Sequence, residues 1–201
     1  MTKGRLEAFS DGVIAIIITI TVLVINIPSG NSWSDLLELL QVIGSYMVSF
    51  LMVGCNWVNH HHLLHVARGV SGRVLWANLL YLFVLSFIPI STGWVSKSGF
   101  AMVPVTVYVL VNLAVAGSYL LLEKAIIVTS GSQALKAAVS ESSKEFWTLL
   151  IEAIALAISF VPRFYYLAFP LLVLAVAPWI IPDLRMKRVY EESLEDPKER
   201  L

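Results

Sequence analysis

The feature that most constrains this chain is a series of long apolar segments, of which the first runs from Gly12 to Ile27 without a charge. Only Thr19, Thr21 and Asn26 carry polar side chains within it. A helix that spans a bilayer needs about 20 mainly apolar residues. Charged residues make up 14% of the chain, against roughly 25% in an ordinary soluble domain. These features predict a polytopic membrane protein rather than a globular one.

Six segments have the length and composition of membrane-spanning helices, which predicts an all-α fold. They cover residues 8–27, 34–65, 73–95, 102–127, 146–161 and 165–181. The second is too long for a simple crossing, so its histidine-bearing end should protrude from the bilayer or tilt. Ser34 is its candidate N-cap, and Pro89 interrupts the third segment.

The segments divide the chain into a six-helix transmembrane domain, residues 1–182, and a charged cytoplasmic tail, residues 183–201. The polar stretch 129–144 is interpreted as an amphipathic interfacial helix or a loop. The first segment is predicted to be a permanent helix, because Asp11 interrupts its approach and no small-x-small cleavage site precedes Pro28.

Lysine and arginine placement predicts the orientation in the membrane. Twelve of the 14 lysines and arginines fall on one side of this topology, and only Lys97 and Arg163 fall on the other. Cytoplasmic loops carry the excess of positive charge. Both chain ends are therefore predicted to be cytoplasmic, in a cell membrane, which agrees with an even number of spans. A net charge of zero gives no sign of a nucleic-acid partner.

A charged string, Arg5-Leu6-Glu7-Ala8-Phe9-Ser10-Asp11, opens the first segment. Charges at the mouth of an apolar helix must pair or remain in water. This Arg-x-x-x-Phe-Ser-Asp pattern resembles the potassium-permeable channels of the transmembrane protein 175 family, in their short prokaryotic form. The resemblance implies a homotetramer in the lipid bilayer, with each first helix lining a central pore. It also implies K⁺ as the permeant ion, with no cofactor.

The first helix is apolar all round, so periodicity alone does not identify a pore-facing side. Ile16, Thr19 and Leu23 share one face. The neighbouring stripe is equally apolar: Ile17, Ile20 and Val24. The resemblance implies that Ile16, Thr19 and Leu23 line the pore, with Ile16 as a hydrophobic gate. Without the resemblance, the isoleucines would be read as packing residues and Thr19 as bonded to its own helix.

Selectivity is expected to be modest. The chain contains no Thr-Val-Gly-Tyr-Gly filter sequence, so a cage of backbone carbonyls is not expected. A ring of Thr19 hydroxyls would be a weak polar site that prefers K⁺ over Na⁺ only slightly. Many members of the family that the motif resembles carry a carboxylate near the outer end of this helix. This chain has Val24 at that position, so a cation-attracting acidic ring at the outer end is not expected here.

Arg5, Phe9, Ser10 and Asp11 are interpreted as a clamp at the cytoplasmic end of the first helix. Ser10 is expected to cap exposed N–H groups, and Asp11 to gain from the helix dipole in the first turn. Arg5 is expected to fold back onto Asp11 or to reach a neighbouring helix. A ring of Asp11 carboxylates that attracts cations is the alternative.

A tryptophan and four histidines gather at the end of the second segment: Trp57, His60, His61, His62 and His65. His61 and His65 have the i, i+4 spacing that can hold zinc, but no Glu, Asp or Cys stands beside them, and no metal site is predicted. The resemblance implies that Trp57 and the histidines pack against the Phe-Ser-Asp string. His60 or His61 is therefore a candidate partner of Ser10 or Asp11, and a route to pH sensitivity.

Two other classes of function fit the sequence less well. A secondary transporter or proton-coupled cation exchanger is the main alternative, but it needs discontinuous helices and paired charges at mid-membrane. Only Glu152, in the fifth segment, approaches that description. An intramembrane enzyme is not predicted, because Ser49, Cys55 and the histidines do not provide a nucleophile, a base and an orienting group at one depth.

Overall fold

The computed structural model describes residues 2–25, 27–67, 69–131 and 144–180. These residues form seven α-helices and one 3-10 turn, and no strand. In chain order they are α1 (Lys3–Leu23), α2 (Trp33–His65), α3 (Gly72–Leu85), α4 (Ile88–Lys97), α5 (Met102–Ser130), α6 (Lys144–Ser159), the 3-10 turn (Tyr165–Leu167) and α7 (Ala168–Ile180). The all-α prediction is confirmed, and every one of the six predicted segments is helical.

Four helical segments are long and apolar enough to cross a bilayer: α1, α2, the run Gly72–Lys97 that contains α3 and α4, and α5. α2 has 33 residues, so it is about 50 Å long and exceeds the hydrocarbon core of roughly 30 Å. α6 and α7 are shorter, with 16 and 13 residues. They pack against each other and against α5 as a hairpin. The tail 183–201 and most of the polar stretch 129–144 lie outside the described residues.

The start of α1 differs from the prediction. The helix begins at Lys3, so Ser10 and Asp11 lie in its interior, and the expectation that they cap or complement its first turn was wrong. Hydropathy located only the apolar part of the helix. The charged residues before it are good helix formers, which extend the same helix toward the chain's start.

The start of α2 is fixed by a reciprocal capping box. The Ser32 N–H donates to the Asp35 carboxylate at 2.8 Å, and the Asp35 N–H donates to Ser32 Oγ at 3.4 Å. Each side chain thus satisfies a backbone donor that the first turn leaves open. The N-cap is therefore Ser32 and not the predicted Ser34.

The third predicted segment is one crossing built from two helices. Pro89 lies in the first turn of α4, where a missing backbone N–H breaks no helical hydrogen bond. The junction is bridged by backbone bonds from the Ser86 N–H to the Leu82 carbonyl at 3.0 Å and from the Phe87 N–H to the Val84 carbonyl at 3.1 Å. The discontinuity is thus a hydrogen-bonded kink.

Two apolar clusters make up the core. One joins α1, α2, α3 and α5, and the other joins α2, α4, α5, α6 and α7. α5 belongs to both, through Leu122 in the first and Val109 in the second. A buried hydroxyl cluster ties the second together, because Ser49 Oγ lies 2.7 Å from Thr92 Oγ1 and 2.9 Å from Tyr108 Oη. Ser49 therefore belongs to the packing between helices.

The end of α1 packs against α4 at Gly93, which is buried. A Cβ atom at this position would lie 3.1 Å from the Cβ of Val24. We expect Gly93→Leu to lower the free energy of unfolding by about 1–3 kcal/mol, because the larger side chain must displace Val24. Thermal unfolding of the purified protein measures this loss. Gly117→Leu in α5 is the matched control, since an added Cβ there meets nothing within 4 Å. Equal losses in the two variants would contradict the prediction.

Candidate functional site

The two sides of α1 have opposite surroundings. Ser10, Ile14, Ile17 and Thr21 are buried against the other helices. The opposite side carries an exposed row that we call the outer stripe: Arg5, Phe9, Gly12, Ile16, Thr19 and Leu23. All three predicted pore residues lie on this stripe.

Exposure separates the two candidate pore stripes that periodicity left equal. In the outer stripe, Ile16 is 57% exposed and Leu23 is 78% exposed. In the neighbouring stripe, Ile17 is only 5% exposed. Val24, in the same stripe, is half-buried and packs against Gly93 of α4. Only the outer stripe is therefore open along its whole length.

Thr19 directs its hydroxyl proton into its own helix. Its Oγ1 donates to the Ile16 carbonyl at 2.9 Å and to the Ala15 carbonyl at 3.1 Å. A hydroxyl whose proton is used in this way keeps lone pairs as acceptors. On an exposed side chain, those lone pairs are available to a cation. Thr21, by contrast, is buried and donates to the Ile17 carbonyl at 2.7 Å.

The buried side of α1 holds the serine of the motif in a hydrogen-bond chain. Asn78 of α3 donates from Nδ2 to Ser10 Oγ at 2.9 Å, and its Oδ1 lies 2.7 Å from Nε2 of His60 in α2. All three residues are fully buried. Because an amide oxygen can only accept, Nε2 of His60 carries the proton of that bond. We call these three residues the anchor network.

His60 is held in place by stacking as well. Its ring lies parallel to that of Tyr81, with 5.3 Å between centroids and 6° between planes. Tyr81 Oη in turn donates to Oδ1 of Asn56 at 3.2 Å. His60 therefore reaches Ser10 through Asn78, whereas the sequence predicted a direct bond.

Asp11 bonds to a residue of α2 and not to Arg5. The indole Nε1 of Trp57 donates to its carboxylate at 2.9 Å. Arg5 and Asp11 are six residues apart on one continuous helix, about 120° around its axis. Within the described part of the chain Arg5 forms no ion pair. The Arg5–Asp11 pair, one of the two alternatives expected for Arg5, is thus not formed, because the helix begins before Arg5.

A lysine fastens the first turn of α1 to the last turn of α2. Lys3 Nζ donates to the main-chain carbonyl of His65 and lies 4.0 Å from Oε1 of Glu7. A cation at the end of α2 also complements the negative end of that helix dipole. This contact and the Trp57–Asp11 bond lie at the same end of the bundle as the anchor network.

His61 lies outside the anchor network. It is exposed and stacks on His65, with 6.0 Å between ring centroids. Among the described residues, no group of three or more His, Cys, Asp or Glu side chains is placed to hold a metal ion. Phe9, predicted as part of the clamp, is 48% exposed and belongs to the outer stripe.

Sequence reasoning missed Asn78 and Tyr81. A signal for Asn78 was present, because it is the only amide side chain in the apolar segment 73–95 and a polar group inside a membrane helix usually has a specific partner. Tyr81 carried no such signal, since an aromatic residue is common in apolar helices.

Comparisons with known proteins point in one direction. The family model of the endosomal/lysosomal potassium channel TMEM175 matches residues 5–89, a range that contains the motif and the anchor network. A protein named potassium channel from Chryseobacterium sp. strain P1-3 is 44% identical over 195 residues, which are 96% of this chain and 100% of that protein. The human protein named endosomal/lysosomal proton channel TMEM175 is 36% identical over 97 residues, 42% of this chain and 19% of the human protein.

A solved structure is similar along nearly the whole chain. It is the crystal structure of a lysosomal potassium-selective channel TMEM175 homolog from Chamaesiphon minutus, and it matches with a TM-score of 0.76 at 28% sequence identity. The match covers 92% of this chain and 97% of that one.

The anchor network should dominate the stability of this end of the bundle. We expect Asn78→Leu to leave Ser10 Oγ and His60 Nε2 without partners, at about 1–3 kcal/mol for each unsatisfied group. The unfolding temperature of the purified protein measures the loss. Trp57→Phe, which removes only the half-exposed bond to Asp11, is the control and should cost less. A smaller loss in Asn78→Leu than in Trp57→Phe would count against the network.

Proposed function

Because the chain belongs to the TMEM175 family, we propose that it is a potassium-permeable cation channel in which four copies of α1 surround a central pore. The channel is a multi-pass protein of a cell membrane, with both chain ends cytoplasmic. The orientation is supported by the placement of twelve of the 14 lysines and arginines on one side.

The observation that carries the proposal is the outer stripe. Its members recur at steps of four and three residues, the spacing along which helices pack around a common axis. Gly12 within the stripe lets neighbouring backbones approach closely. The stripe is exposed along its whole length in a single chain, whereas Ser10, Ile14, Ile17 and Thr21 on the opposite side of α1 are buried. Copies of the chain that meet along it enclose an axis lined by Ile16, Thr19 and Leu23.

Gating in the proposed channel follows from the side chains on that axis. A ring of Ile16 side chains is an apolar constriction, which excludes water and therefore ions when it is narrow. Leu23, one and a half to two turns further on, adds a second apolar layer. Opening requires the α1 helices to tilt or rotate apart, because an isoleucine ring offers no ligand to a cation.

Selectivity in the proposed channel depends on Thr19. Its hydroxyl proton is used within α1, so a ring of Thr19 oxygens offers acceptors to a partly dehydrated cation. Four hydroxyls have a weaker field than a stack of backbone carbonyls, and they remove only part of the hydration shell. The resulting preference for K⁺ over Na⁺ is modest.

Replacement of Ile16 by asparagine tests the gate. We expect Ile16→Asn to raise K⁺ flux into liposomes several-fold over the wild type. A pore ring of polar side chains holds water at a diameter from which a ring of apolar side chains excludes it. Val22→Asn is the matched control: Val22 is also exposed on α1 but lies about 100° around the helix from the outer stripe. An equal rise in K⁺ flux in both variants would mean that a polar side chain at any exposed position of α1 makes the protein leaky, and it would contradict a gate at Ile16. Saturable flux coupled to a second ion would instead favour the transporter.

Replacement of Thr19 by valine tests the selectivity layer. We expect Thr19→Val, which keeps the shape and removes the hydroxyl, to lower the K⁺ to Na⁺ flux ratio in liposomes toward equality. Thr19→Ser keeps the acceptor and should retain most of the ratio. If the valine variant keeps the wild-type ratio while both proteins conduct, selectivity originates elsewhere.

A further inference from the structure

A second polar site lies away from the proposed pore, in a cavity of about 60 Å³ between α2, α5, α6 and α7. A single water molecule needs roughly 10–15 Å³ of such space, so the cavity has room for a small organic molecule. Its wall combines the carboxylate of Glu152, the amides of Asn59 and Asn112, and the rings of Tyr119 and Trp179.

Glu152 is a buried acidic residue on this wall that lacks, within the described part of the chain, a hydrogen-bond partner for one of its oxygens. The residue is only 4% exposed, and its Oε2 has no hydrogen-bond partner among the described residues. A carboxylate removed from water needs a donor or a positive charge beside it. The cavity that Glu152 lines is the space in which such a group can be bound.

Each amide on the wall uses one of its two donors within its own helix. Three asparagines line the cavity: Asn56, Asn59 and Asn112. Each donates one Nδ2 hydrogen to the main-chain carbonyl four residues earlier, at 2.9, 2.7 and 2.8 Å respectively. The side-chain oxygens are acceptors, and that of Asn56 already accepts from Tyr81 Oη.

The other N–H and hydroxyl donors nearby are also engaged. Trp179 Nε1 donates to Thr148 Oγ1 at 2.7 Å, and Thr148 Oγ1 donates to the Ala175 carbonyl at 3.3 Å. Tyr119 Oη donates to the main-chain carbonyl of Asn59 at 3.4 Å. The polar part of the wall therefore presents amide groups and two acidic residues, Glu145 and Glu152, to whatever enters the cavity.

We propose that this cavity binds a small protonated amine. The N–H groups of such a ligand donate to Glu152 and to the asparagine oxygens, and its charge offsets that of the carboxylate. The rings of Tyr119 and Trp179 add the aromatic faces that attract organic cations. Apolar side chains complete the wall and accommodate the carbon atoms of the ligand: Val115, Leu149 and Val176. The apolar side chains in this lining supply no oxygen ligands for an alkali ion, whereas they can pack against the carbon atoms of an organic amine.

Ligand-dependent unfolding tests the site. We expect methylammonium chloride to raise the unfolding temperature of the purified wild-type protein as its concentration increases, relative to equal concentrations of potassium chloride. Glu152→Gln should need at least a tenfold higher concentration for the same rise, because the charge partner is lost. Ala116→Leu fills the cavity and keeps the carboxylate, and it should weaken the response similarly.

Glu38→Gln is the control, since Glu38 is an exposed carboxylate on α2 outside the cavity and should leave the response unchanged. The proposal fails if the wild type does not respond, or if Glu152→Gln responds like the wild type. It also fails if potassium chloride gives the same Glu152-dependent rise, which would identify an alkali-ion site. The readout is unfolding and not flux, so its outcome is independent of the proposed channel function.

Discussion

The rotational position of α1 depends on the anchor network, the buried chain from Ser10 through Asn78 to His60. All three side chains are fully buried within the protein, so a partner that is lost leaves a polar group unsatisfied, at about 1–3 kcal/mol each. A helix that is apolar on every side has little else to fix its rotation. Ser10 therefore decides which side of α1 faces the bundle, and all the geometry of the outer stripe follows from it.

The two ends of α1 are held by different forces. At the end that carries the motif, hydrogen bonds from Asn78 and Trp57, together with the Lys3 contact to α2, fix both direction and distance. At the other end, the apolar side chain of Val24 packs against Gly93. Apolar contacts are non-directional, so they tolerate sliding that a buried hydrogen bond does not. In the proposed channel, tilting of α1 thus pivots at the motif and opens the apolar end.

The sequence predicted features that depend on one stretch of residues, such as helix location. It did not predict features that depend on contacts between distant residues, such as the hydrogen-bond partner of a side chain. Segment length and hydropathy identified six helical segments, of which the third consists of two helices, because these properties depend on composition along a single stretch. The role of Ser10 was misjudged because its partner, Asn78, is 68 residues away. The Arg5–Asp11 pair failed for a local reason, since hydropathy located the apolar helix and missed its charged first turns. Glu152 stood out in the sequence, but the polar and aromatic wall around it required the positions of four helices.

The sequence by itself determined that this chain is an all-α membrane protein with six helical segments, and the motif in its first helix identified the family. The tertiary structure decided which of two equally apolar stripes on α1 remains open. The physical reason is that hydrophobicity does not distinguish Ile16 from Ile17, whereas burial of one polar side chain, Ser10, against Asn78 does. Directional hydrogen bonds at the motif, with that from Asn78 to Ser10 fully buried, set the orientation of a helix that its apolar side chains leave undetermined.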